Sequence, residues 1–108
     1  MNISTLKSLM RLFGIVANIS KHTDKQIAAS KVSAYLHQIT NQQEAGQYLQ
    51  MFDFHAKHYA KEALHYEKRL SALGVKATII AEEVKFELNQ HEKILIIVSL
   101  LEIQSTST

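Results

Sequence analysis

The sequence predicts an all-α protein, a compact bundle of about five helices with a central apolar C-terminal helix. Three observations lead there. Proline is absent and glycine is confined to Gly14, Gly46 and Gly74, while strong helix formers are plentiful. Apolar residues recur at intervals of three and four in successive stretches, the period of a helix face. Residues 93–103, Lys-Ile-Leu-Ile-Ile-Val-Ser-Leu-Leu-Glu-Ile, form the densest apolar run, and a helix apolar nearly all round has to be surrounded.

In chain order, the first helix carries Ile3, Leu6, Leu9, Met10, Phe13, Val16 and Ala17, with Ser4 or Thr5 as its cap, and fades at 18–21. Thr23-Asp24-Lys25-Gln26 has the spacing of a capping box. It opens a second helix with Ile27, Ala28, Val32, Tyr35, Leu36 and Ile39 on one face, ending at Thr40-Asn41. Asn41 and Glu44 repeat the device, with the carboxylate near the positive end of the helix dipole.

The third helix has a stripe of Tyr48, Phe52, Ala56, Tyr59, Ala63, Tyr66, Leu70 and Leu73. A break is expected between Glu67 and Val75, where Ser71 can cap a new helix and Gly74 can end an old one. The fourth helix then buries Ala77, Ile80, Ala81, Val84 and Leu88. Asn89-Gln90-His91-Glu92 is a third capping box, which launches the fifth helix. Residues 1–104 read as a single domain, with 105–108 a disordered tail.

The 108 residues suffice for one core without staples. The lack of cysteine removes thiol catalysis, cysteine-held zinc and iron–sulfur clusters, and fits a reducing, cytoplasmic setting. Twelve Lys and Arg against ten Asp and Glu, interleaved throughout, leave no basic footprint for nucleic acid. The N-terminus lacks the pattern of a signal peptide, and residues 94–103 are about half of the ~20 apolar residues that span a bilayer. No membrane insertion is expected.

Histidine is the only reactive type in excess. His55, His58, Glu62 and His65, spaced three, four and three, make one helical stripe, and Glu62-Ala63-Leu64-His65 matches the Glu-x-x-His half-motif of bundle di-iron sites. At about 100° per residue, however, His58 and His65 turn toward water, and neither the second nor the fifth helix offers an inward Glu-x-x-His. A solvated flank is the expectation. A small metal-binding stress protein using His58, Glu62 and His65 is the alternative. His22, His37 and His91 read as cap, turn or surface residues, and the four tyrosines as packing residues with hydroxyls at the core boundary. No phosphate-binding loop, nucleophile elbow or dinucleotide fingerprint occurs, so no catalytic, cofactor or metal residue is assigned.

The two faces of the fifth helix are more informative. Ile94, Ile97, Val98 and Leu101 make one, and Ile96, Leu100 and Ile103 the other. Either a central position buries both, or Ile96, Leu100 and Ile103 form an interaction surface for a protein partner, namely a continuation of the chain or a second copy.

Leu12-Phe13-Gly14-Ile15-Val16-Ala17, Tyr48-Leu49-Gln50-Met51-Phe52-Asp53, Val75-Lys76 and residues 87–103 together resemble a TerB-like domain, the helical module named after a tellurite-resistance protein. Specifically, they resemble the N-terminal segment of large bacterial proteins with an ATP-binding cassette domain downstream. The resemblance covers most of the chain and rests mainly on packing residues. It implies a non-enzymatic interaction or regulatory module at the start of a longer protein. Where the family usually carries an Asp-Gly pair with metal-binding acidic residues, this chain has Ser20-Lys21, with Asp24 the nearest carboxylate, so no metal ligand carries over.

Overall fold

Where the residues before an α-helix are described, it begins at a short polar side chain that takes up free amides of the first turn. A computed structural model describes residues 2–19, 24–65 and 68–104, and the side chains of these outside 62–71 and 104. Helix α1 is Ile3–Val16, α2 Lys25–Ile39, α3 Gln42–His65, α4 Lys68–Val84 and α5 Gln90–Gln104, with a single 3-10 turn, Lys85–Glu87, between the last two. The protein is all-α, as expected.

The caps confirm some starts and move others. Asn2, not Ser4 or Thr5, caps α1, because its extended backbone lets the carboxamide oxygen accept from the Thr5 amide at 2.7 Å. Asp24 caps α2, accepting from the amides of Gln26 at 2.9 Å and Ile27 at 3.1 Å; Thr23, the expected cap, lies outside the described residues. Asn41 caps α3 as anticipated, through the Glu44 amide at 2.8 Å. The third box is complete in both directions: Glu92 N–H donates to Asn89 Oδ1 at 2.8 Å, and Asn89 N–H donates to Glu92 Oε1 at 2.9 Å. Helix α4 is already under way at Lys68, so Ser71 and Gly74 sit inside it rather than at a boundary. One interior glycine and one serine weaken a helix by roughly 1 kcal/mol, less than the burial of Leu73, Ile80 and Val84 on the same element returns.

The central helix is α1, not α5. Helix α1 packs against α3, α4 and α5, while α2 packs against α3 and α5, and α3 against α4. Leu6, Leu9, Met10, Leu12, Phe13, Ile15 and Val16, spread over more than half the circumference of α1, are all buried. The principle applied to the last helix holds for the first, whose charged residues, Lys7 and Arg11, lie on one exposed line. Phe13 meets Tyr35 of α2 edge-on, with centroids 5.4 Å apart. Ala28, Val32, Leu36, Tyr48, Phe52, Ala56 and Tyr59 are buried where periodicity placed them, whereas Ile3, Ile27 and Ala81, at the ends or edges of their stripes, are exposed. The radius of gyration, 13.0 Å, is that of a single globule, for which about 13 Å is the norm at this length.

A close crossing and a buried asparagine fix how α1 meets its neighbours. Along the line Arg11, Gly14 and Asn18, α1 lies against α3: Arg11 Nε donates to the Tyr59 hydroxyl at 2.8 Å, and Gly14 passes directly over His55 and Ala56. Buried Asn18 donates through Nδ2 to the carbonyls of Gly14 at 2.9 Å and Ala56 at 2.8 Å, and its Oδ1 accepts from Lys25 Nζ. Lys25 Nζ also donates to the Ala17 carbonyl at 2.9 Å, and burial holds its pKa below the ordinary lysine value. One asparagine thus ties the end of α1 to α3 and to the start of α2.

Candidate functional site

Helix α5 divides into two apolar halves with opposite fates. Ile96 and Ile103 are buried in the core and Leu100 packs against it, so the expected interaction surface is an interior face of this chain. The half left in solvent is Ile94, Ile97, Val98 and Leu101, which are 51%, 56%, 46% and 60% exposed. The two faces are therefore exchanged relative to expectation. Helix α5 is peripheral, and a peripheral helix buries one side only. Its inward seam runs through Ile96, Ser99 and Ile103, all buried. The Ser99 hydroxyl costs little there, since it donates to the Leu95 carbonyl at 2.9 Å on its own helix.

The Asn89–Glu92 box anchors the start of this face. The backbone amide of Asn89 holds the Glu92 carboxyl below the ordinary carboxylate range. Its negative charge in turn reinforces burial in pushing the Tyr35 hydroxyl well above the usual tyrosine range. That hydroxyl is buried and makes no hydrogen bond among the described residues.

Further exposed apolar side chains are Phe54 on α3, Val75 and Ile79 on α4, and Phe86 in the 3-10 turn, whose ring lies 5.1 Å from Lys85 Nζ. None is grouped on one helix face as tightly as the four of α5.

The histidine flank is an aromatic surface in this structure. His58 is exposed and stacks on Phe54, with centroids 6.3 Å apart and planes 6° from parallel, while its other neighbour, Tyr59, lies edge-on at 5.0 Å. His55 is half-buried at the α1–α3 crossing, where burial first, then the charges of Arg11 and His58, lower its pKa. The side chains of Glu62 and His65 lie outside the described ones, and among the described residues no three His, Cys, Asp or Glu side chains gather as a metal site would require. Beside the flank, Gln47, Gln50, Met51, Phe54 and His55 line an open depression of about 490 Å³, with no convergent charged groups. His37 bonds to the Ser33 carbonyl of its own helix at 2.7 Å, and His91 is exposed in the first turn of α5.

Of the residues that fix the junction of α1 with α2 and α3, Gly14, Asn18 and Lys25 escaped sequence reasoning. Only the small residue at position 14 of an otherwise bulky apolar helix hints at a close crossing. No helix among the described residues is long and apolar enough to cross a membrane. No protein-family model, curated protein or solved structure matches the chain.

Proposed function

We propose that this chain is a non-enzymatic helical interaction or regulatory module of the cytoplasm, TerB-like, serving as the N-terminal domain of a protein with an ATP-binding cassette domain downstream. It works by presenting the outward face of α5 to a protein partner, either a continuation of its own chain or a second copy. The observation that carries this reading is the row Ile94, Ile97, Val98 and Leu101, four large aliphatic side chains about half exposed on consecutive turns of one helix. Scattered single exposures are ordinary, but a contiguous apolar row marks a surface that is covered in use. The interleaved charges favour a protein partner over nucleic acid.

The test pairs two substitutions of one chemistry on opposite sides of α5. Ile97→Asp places a carboxylate in solvent and should leave helix content and thermal midpoint close to the parent while abolishing association. Ile96→Asp buries an unpaired carboxylate and should cost more than about 3 kcal/mol, enough to unfold much of the population. Association is read by co-purification of the protein from its own cells, with the intact mass of the endogenous polypeptide showing whether the partner is a continuation. An Ile97→Asp protein that associates like the parent, or one that fails to fold, would sink this assignment.

A further inference from the structure

We propose that the outward face of α5 is covered by the same face of a second copy, laid antiparallel across a two-fold axis that passes between Ile97 and Val98. This rests on the interaction reading above and narrows it to one occupant. The first argument is register. The exposed positions 94, 97, 98 and 101 are symmetric about the midpoint of 97 and 98. An antiparallel two-fold pair therefore sets Ile94 against the partner's Leu101 and Ile97 against the partner's Val98, and the same contacts recur in reverse, as an isologous interface requires. The spacing of three, one and three is that of two helices packed along a seam.

The second argument is charge. At about 100° per residue, Glu102 and His91 lie along one edge of the face, and Lys93 and Leu100 along the other. Two-fold antiparallel packing keeps each edge beside its own counterpart, running the opposite way. It brings Glu102 near the partner's His91, and the aliphatic stem of Lys93 over the partner's half-buried Leu100. A parallel pair would instead bring opposite edges together, setting Glu102 beside the partner's Leu100 and His91 beside the partner's Lys93, and so would lose the Glu102–His91 approach.

The third argument is area. Four side chains exposed by about half present a patch on the order of 400 Å². Two such patches remove about 800 Å² from water, below the roughly 1,200 Å² at which stable interfaces begin. The dimer is accordingly weak, with a dissociation constant in the micromolar range or above, and it forms in earnest where copies are concentrated or tethered.

Because the chain has no cysteine, introduced thiols report the arrangement without background. Ile94→Cys and Leu101→Cys are each prepared alone, checked for parental helix content, and exposed to a mild oxidant separately and as an equal mixture. The mixture should yield a disulfide-linked heterodimer, and each variant alone far less, since an antiparallel pair holds like positions about 10 Å apart along the axis. Sedimentation equilibrium of the parent chain should show a concentration-dependent shift from one to two copies, which Ile97→Asp weakens by more than about tenfold. Equal linking of each single variant with itself overturns the antiparallel arrangement. A parent chain that stays monomeric at millimolar concentration overturns the second copy as occupant, while leaving the interaction face itself to be judged by the Ile97→Asp co-purification.

Discussion

At Gly14 the bundle depends on the absence of a single carbon. A Cβ built there would stand 2.6 Å from the His55 Cβ and 2.9 Å from the Ala56 nitrogen, and neither a Cβ nor a backbone atom can swing aside. Gly14→Ala should therefore force α1 and α3 apart and destabilise the protein by about 1–3 kcal/mol, even though alanine is the better helix former. A lowered urea midpoint with an unchanged slope would register it, and a raised midpoint would refute the close crossing. The displacement would also strain Asn18, whose two carbonyl partners lie on the two helices being separated. Tyr35 is the converse case. Its hydroxyl is buried without a partner among the described residues, so the folded state carries a desolvation cost with no bond from them to offset it. Tyr35→Phe should be neutral or stabilising by up to about 1 kcal/mol, with the edge-on contact to Phe13 preserved. Loss of more than that in a thermal melt would mean the hydroxyl has a partner after all.

Among the elements, α5 depends most on its cap. Its outward half is only about half covered within the chain, so the first turn matters more than on a helix packed on both sides. Asn89→Ala removes one of the two reciprocal bonds and should cost about 1 kcal/mol at neutral pH. The contribution of Glu92 carries a pH signature. Its folded-state pKa lies below the unfolded one, so its stabilisation is complete above the ordinary carboxyl range and fades as pH falls through the lowered value. The difference in urea midpoint between the parent and Glu92→Gln should accordingly be present at neutral pH and close on acidification. A difference that persists in strong acid would show that the carboxylate is not what the Asn89 amide holds.

On the scale of the whole molecule, the two most apolar helices compete for the centre, and α1 takes it. The number of helices, their order and most of their inward residues were legible from three-and-four spacing and from capping boxes, because both are local: a side chain reaching an amide three residues away obeys the same geometry in any fold. Ser71 and Gly74, offered as the break between the third and fourth helices, lie inside α4, because they are breakers by propensity only and packing overrides propensity. The choice between the two faces of α5 was not legible at all. Ile94, Ile97, Val98 and Leu101 are as apolar as Ile96, Leu100 and Ile103, and nothing local separates them. The same holds for the α1–α3 crossing, where Gly14 meets His55 some forty residues along the chain. By itself, then, the sequence determined an all-α chain of five helices, several with legible caps, and a surplus of aliphatic side chains on the last. Tertiary structure alone decided which helix is surrounded and which half of α5 is left facing water, because burial is settled by what lies opposite a residue in space, and hydrophobicity along the chain does not encode which neighbour arrives.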